Sequence, residues 1–347
     1  VKGSAVVDVL PVGTAVRVRS CASSANLGPG FDSVGLALGV WDTYVAGVVE
    51  TPGLSIVIDG DDQGVPRDER HLVYASMRTA FEQAGVAVPV GLVLRCASTV
   101  PQGRGMGSSA AAITAGVALG FGLIAVAEQN QGDALDQGEV QIDLDAVSDL
   151  ASRLERHPDN ASASVFGGAT VSWVLDEAGE QVESVPRFAS AVVPLHPDIE
   201  PLVVVPTAQL PTSIARSVLP ASVPHSEAAR NSGTAALLTL ALSQRPDLLL
   251  PATREWLHQE QRRGSLGASM ELVDELRARG LAAVISGAGP SVLVLGSSSG
   301  DVSVVEAVVA GRSSQGWKVL RPGVPTRGVR VERVTLEALS GGDVSLA

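Results

Sequence analysis

The sequence has almost no lysine. Lys2 and Lys318 are the only two in 347 residues, although Lys and Arg together number 25. That scarcity excludes the commonest phosphate loop, because G-x-x-x-x-G-K-[ST] needs its lysine on the phosphates. Aromatic residues are scarce too, at 3% against 45% hydrophobic residues overall, so the core must be packed from Val, Leu, Ile and Ala. Cysteine is limited to Cys21 and Cys96, both in strand-like runs without C-x-x-C or metal-ligand spacing. They read as reduced, buried, small hydrophobes, which excludes a disulfide framework and fits a cytoplasmic protein. Positive charge is short overall: the formal net charge is −12. An acidic surface repels nucleic acid and anionic membrane, so neither is expected as a partner. The opening Val-Lys-Gly-Ser-Ala lacks the apolar stretch and cleavage site of a secretory signal.

One uncharged run, residues 110–127, brushes the length of a membrane span. It is mostly Ala and Gly, carries Gly116-x-x-x-Gly120, and follows directly on a polar glycine loop. A buried central helix is the better reading, because small residues let a helix sit close to its neighbours and give weak membrane affinity.

Length favours two domains. Alternation predicts strands at 15–21, 40–49, 54–58 and 90–96, with a Gly/Ser/Asn-rich segment at 22–35 and a turn at 59–62. Helical spacing covers 71–84, stopped by Gly85, and 144–154. Residues 1–13 read as a loose leader, 128–143 as a surface loop and 176–187 as a charged hairpin or linker. The second half offers a strand at 202–205 and helices at 212–217, 226–243, 248–263 and 271–279. Strands at 282–286 and 291–295 flank Gly287-Ala-Gly-Pro290, and a helix at 302–310 and a strand at 328–334 follow. The pattern suits a split βαβ sandwich, so the fold class is α+β. The expected units are 14–185 and 186–337, with flexible ends at 1–13 and 338–347.

The feature that carries chemistry is Pro101-Gln-Gly-Arg-Gly-Met-Gly-Ser-Ser-Ala-Ala111. Glycines at alternate positions let the backbone approach a ligand. Ser108 and Ser109 stand where a helix should begin. Unpaired N–H groups and the positive end of the helix dipole favour an anion there, typically phosphate. The spacing G-x-G-x-G also differs from the dinucleotide fingerprint G-x-G-x-x-G.

Three segments occur in order: Ser23-Ser-Ala-Asn-Leu-Gly-Pro-Gly-Phe-Asp-Ser-Val-Gly35, then residues 101–111, then Ile285-Ser-Gly-Ala-Gly-Pro-Ser-Val-Leu293. Together they resemble the three motifs of the GHMP small-molecule kinases. The first, with His157-Pro-Asp-Asn160 and Gly167-Gly168, is closest to the branch that phosphorylates homoserine. The resemblance spans roughly residues 15–335 and implies an S5-like N-terminal domain with a ferredoxin-like C-terminal domain. It implies ATP and Mg²⁺ as cofactors, L-homoserine as substrate and a homodimer as the assembly.

The resemblance also assigns residues. ATP phosphates would lie on Pro101, Gln102, Gly103, Arg104, Gly105, Met106, Gly107, Ser108, Ser109, Ala110 and Ala111, with Gly287 and Gly289 forming a second turn beside them. Asn26, Asp32, His157, Asn160, Thr212, Arg216 and Arg262 would hold the substrate. Asp32 can pair with an ammonium, and guanidinium suits a carboxylate. Arg216 comes from Thr212-Ser-Ile-Ala-Arg216 and Arg262 from His258-Gln-Glu-Gln-Arg262, two elements the family shares. Asp159 and Asn160 are the catalytic candidates, with Asp159 open as a base. For Mg²⁺ the candidates are Ser108 and a carboxylate, either Glu155 or Asp149, since Mg²⁺ takes oxygen ligands. Arg156 stands where the family commonly has Gly, and either reaches the phosphates or points outward. The rival readings are a mevalonate- or sugar-type kinase, a decarboxylase of the same superfamily and a non-catalytic sensor on the same fold.

Overall fold

The structure is a computed structural model, and it describes residues 9–59, 64–129, 138–175, 186–312 and 316–339. Its first unit is built on β1 (Ala15–Asn26), β2 (Gly30–Val48) and β3 (Gly53–Asp59), followed by α1 (Leu72–Ala84), β4 (Gly91–Ala97), α2 (Ser108–Gln129), α3 (Leu144–Glu155), α4 (Asp159–Phe166), β5 (Ala169–Leu175) and β6 (Arg187–Val193). The chain then runs through β7 (Glu200–Val205), α5 (Thr212–Ser217), α6 (His225–Ser243), α7 (Leu249–Ala252), α8 (Gln259–Arg262), α9 (Gly267–Ala278), β8 (Ala282–Ile285), β9 (Val292–Gly296), α10 (Ser299–Ala310), β10 (Lys318–Leu320) and β11 (Arg330–Arg333).

The second sheet has the order β10-β7-β9-β8 with every pairing antiparallel. With α9 and α10 as its crossover helices, this is the split βαβ plait expected for the C-terminal half. The strand expected to close that plait at 328–334 does not. β10 closes it, and β11 crosses back to pair with β1, Val18 opposite Val331. β6 also lies past the expected boundary near 185 yet pairs with β5 in the first sheet. Strand alternation is local, whereas the choice of sheet depends on distant partners.

The Gly/Ser/Asn-rich segment at 22–35 forms the ends of β1 and β2 joined by a tight turn. Asn26, Leu27 and Asp32 there take left-handed φ values of 70°, 49° and 52°, which side chains other than glycine rarely adopt. Residues 248–263 are broken into α7 and α8 with a polar turn between. Leu10, expected in a loose leader, is buried in the first core.

Local chemistry explains the helix ends. Gly85 stops α1 in the left-handed conformation (φ 70°), its N–H returning to the Glu82 and Phe81 carbonyls. Asp143 caps α3 by accepting from Ala146 N–H. α2 is long and apolar enough to cross a membrane, but 78% of its most apolar window is buried inside the protein. It is the central core helix. Gly116 meets Val73 and Ser76 of α1, and Gly120 meets Ala80 and Met77, so the two helices cross in close contact. A second core joins the two units through Leu36, Leu38 and Met106 on one side and Val203, Leu238 and Val284 on the other. Cys21 and Cys96 are free and buried, their thiols pushed up to about 12 by burial. Thiols so raised are unreactive near neutral pH.

Candidate active site

The glycine loop enters α2 between two cavities. Gly103, Gly105 and Gly107 all take positive φ, at 64°, 71° and 68°. Cβ atoms would be fatal at two of them: at Gly105 one would strike the Ser286 carbonyl, and at Gly107 the Ser23 hydroxyl. The three motifs are thus packed into one body, with Ser286 Oγ donating to the Gly105 carbonyl (2.6 Å) and accepting from Ser24 Oγ (2.8 Å). Met106 anchors the loop in the inter-unit core, a burial that contributes about 2 kcal/mol.

Not every residue of the loop faces a ligand. The Arg104 guanidinium donates to the Pro206, Thr207 and Gln102 carbonyls, tying the loop to the end of β7 and leaving its phosphate role to the backbone. The Ala110 and Ala111 side chains are buried in the core, and the Ala111 N–H already bonds the Gly107 carbonyl at 2.8 Å, so of the two only the Ala110 N–H, in the first turn of α2, faces outward as a donor unpaired among the described residues. Gly287 lines the first cavity, while Gly289 supports the turn behind it.

The first cavity, about 130 Å³, lies between the loop, the β1–β2 turn and the N-terminus of α4. Asp32, His157, Asp159, Asn160, Arg216 and Arg262 meet there. Arg216 grips Asp32 through both nitrogens, at 2.6 and 3.2 Å. Burial alone would lower the Arg216 pKa, but the Asp32 hydrogen bond and charge raise it. Arg262 is 1% exposed, and burial followed by the charge of Arg216 lowers its pKa; an arginine remains a cation nonetheless. Asn26 lines the cavity with its amide engaged, donating to Gly287 O (3.0 Å) and accepting from Asp32 N–H (3.1 Å). It fixes the turn that presents Asp32. Asn160 Oδ1 accepts from Ser23 Oγ at 3.0 Å. Thr212 begins α5, and its side chain lies outside the described residues. Asn231 braces Pro29 O and Trp256 N–H away from the cavity.

His157, Asp159 and Glu155 form a buried acidic–basic cluster. His157 Nδ1 is 2.9 Å from Asp159 Oδ1, which also accepts from Asn160 N–H. Burial alone would lower the His157 pKa; the hydrogen bond and charge of Asp159, then the charge of Glu155, raise it on balance. Glu155 Oε2 accepts from Ser109 Oγ at 2.9 Å, and burial raises the Glu155 pKa. A buried carboxylate beside two serine hydroxyls at a helix N-terminus is a donor set for a hard divalent cation. Asp149 is corrected out of that set. It lines a separate cavity beside β6 and accepts from Phe188 N–H at 2.7 Å, so it serves the α3–β6 contact. Arg156 caps α3 in the left-handed conformation (φ 69°) and is exposed, outside both cavities that flank the loop.

The second cavity, about 350 Å³, shares Gly103, Ser108 and Ser109 with the first and is walled by Ile58, Val65, Pro66, Leu72, Val73 and Val100. Its polar groups are largely engaged with one another. Asp42 accepts from Thr99 N–H, Val100 N–H and the Tyr44 hydroxyl. His71 faces Cys96 Sγ through Nε2, and its buried Nδ1 has no partner among the described residues. The sequence reading missed this cavity. Its walls come from β2, β3, β4, α1 and α2, and no short spacing links them.

Comparison with known proteins agrees with this geometry. The family description "GHMP kinases N terminal domain" matches residues 71–168, and "GHMP kinases C terminal" matches residues 235–312. The chain is 41% identical over 335 residues to the homoserine kinase of Leifsonia xyli subsp. xyli, covering 96% of this chain and 97% of that protein. It is 45% identical over 318 residues to the homoserine kinase of Streptomyces avermitilis, covering 91% and 95%. Among solved structures, homoserine kinase from Cytophaga hutchinsonii superposes with a TM-score of 0.75 at 22% identity, covering 92% of this chain and 98% of that one. That last likeness shows the fold.

Proposed function

The chain belongs to the GHMP kinases, and we infer that it transfers the γ-phosphoryl group of ATP to the side-chain hydroxyl of L-homoserine, giving O-phospho-L-homoserine in threonine biosynthesis. The observation that carries the reading is the pair of cavities meeting at the α2 N-terminus, one lined by fixed charges and one by apolar walls. A nucleoside suits the apolar-walled cavity, and its phosphates would then lie at the shared Gly103–Ser109 edge. A zwitterionic amino acid suits the charged one. Its ammonium replaces Arg216 on Asp32, and its carboxylate takes the freed Arg216 together with Arg262. A neutral sugar would leave these charges unmatched.

Glu155 and Ser108 fit Mg²⁺, which when bound would neutralise charge on the nucleotide phosphates. The chain's own contribution is position and field. Backbone N–H groups of residues 105–109 and the α2 dipole face the charge that develops during transfer. Asn160 and the His157–Asp159 pair flank the substrate hydroxyl. That oxygen bonds to the γ-phosphorus as the bond to the β–γ bridging oxygen breaks and ADP leaves, the hydroxyl proton passing to an oxygen of the transferred phosphoryl group and from there to water. Phosphoryl transfer runs mainly on positioning and electrostatics, so a strong base at Asp159 is not required. By family likeness the enzyme acts as a cytoplasmic homodimer, which sedimentation of the purified protein would test.

A coupled ADP-release assay across homoserine, serine, threonine and mevalonate tests the reading. Turnover with homoserine well above the others is expected. Turnover with mevalonate and none with homoserine would overturn it.

A further inference from the structure

We propose that His258, which touches no ligand, is the positioning residue that aims Arg262 at the substrate carboxylate. The proposal rests on the amino-acid-kinase reading above. His258 is completely buried at the start of α8. Its Nε2 lies 2.8 Å from the Gly28 carbonyl and its Nδ1 3.1 Å from Arg262 Nη1. A carbonyl only accepts and a guanidinium only donates, so the two contacts fix one protonation state: Nε2–H donates to Gly28, and bare Nδ1 accepts from Arg262. The ring is neutral. Burial lowers its pKa, Glu255 opposes this, and the charge of Arg262 lowers it further.

The ring therefore bridges two parts of the site. One end holds the β1–β2 turn that presents Asp32, and the other holds the buried arginine. Phe31 of the same turn stacks on the imidazole at 5.1 Å, with the Arg216 and Arg262 guanidiniums 5.7 and 5.8 Å from the Phe31 ring. Glu255 fixes the backbone of this segment, accepting from the N–H groups of Leu257, His258 and Gln259. Arg262 Nε donates to Ala215 O, and Nη1 reaches His258 and Gly287 O. Nη2 makes no hydrogen bond among the described residues, and Arg262 lines the charged cavity. Every contact that orients the guanidinium is a neutral acceptor. It is held in place without losing its charge to a counter-ion, which leaves that charge for the ligand.

The test compares His258→Phe, which keeps a stacking ring without hydrogen bonds, with His258→Gln, which keeps a donor and an acceptor without the ring. Each is assayed with homoserine and with 3-aminopropan-1-ol, which lacks the carboxylate. In His258→Phe the homoserine KM is expected to rise about tenfold, as for a lost hydrogen bond to a charged group, with the ATP KM unchanged. The preference for homoserine over the aminoalcohol should fall by the same factor. His258→Gln should restore most of that preference. An unchanged preference in His258→Phe, or a loss shared equally by ATP, would overturn the proposal. If His258→Phe does not fold, folded His258→Gln decides alone: preference kept supports the bridge, preference lost sinks it. If the unaltered enzyme turns over no homoserine, the substrate reading fails instead, a separate result.

Discussion

The two cavities beside the α2 N-terminus recognise by opposite means. The smaller is charged, and its key groups hold one another: Asp32 with Arg216, His157 with Asp159, Arg262 with His258. The larger has apolar walls, and most of its polar groups are engaged around Asp42 and Tyr44, His71 Nδ1 excepted among the described residues. On the proposed reading the smaller would select by charge matching, because a ligand must replace an existing ion pair with an equally good one, and the larger by shape and burial. What they share is backbone and serine, the groups suited to a phosphate chain that must touch both.

Removing what stands against the shared edge, the Glu155 carboxylate that accepts from Ser109 Oγ, should have the largest effect. Glu155→Gln is expected to lower kcat about a thousandfold, by losing the anionic oxygen that fits the cation, with smaller changes in either KM. Steady-state kinetics at varied Mg²⁺ would check it. Changes within one cavity should separate the substrates. Arg216→Leu removes a charged contact and leaves Asp32 unpaired, so the homoserine KM should rise about a hundredfold while the ATP KM holds. Ala112→Phe intrudes on the larger cavity, and there the ATP KM should rise about tenfold with homoserine unaffected. Equal effects on both substrates from either variant would break the division between the cavities.

The smallest effect is a pH dependence confined to the charged side. His157 has a raised folded pKa, so its contribution to stability is complete below the unfolded value and fades as pH rises through the folded one. Glu155, raised by burial, has the same sign at lower pH. Without metal, the thermal midpoint should therefore fall by a few degrees as pH rises past the ordinary imidazole value, and His157→Gln should flatten that decline. Mg²⁺ affinity should move the other way, tightening as Glu155 loses its proton.

The glycine loop, the central helix and the plait were legible in the sequence because each is written in local pattern: alternating glycines, an uncharged Ala-rich run, strands punctuated by glycine turns. The candidates for substrate binding came from motif matches, and Asp32, His157, Arg216 and Arg262 line one cavity. Other features could not be read this way. Asp149 and Glu155 lie six residues apart on one helix, and only packing against β6 shows that Asp149 is engaged elsewhere. The 22–35 segment is rich in Gly and Ser, a composition that names no element by itself, and pairing with neighbouring strands makes its two ends β-structure.

By itself the sequence determined where a phosphate could bind, because a helix N-terminus after alternating glycines is a local object with a fixed dipole and unpaired N–H groups. Tertiary structure decided what stands on either side of it. It brought Gly28 to His258 across 230 residues of chain, returned β11 to the first sheet and assembled the larger cavity from strands, helices and the loops between them. Contacts of that kind depend on the packing of the whole chain, which no short stretch of it encodes.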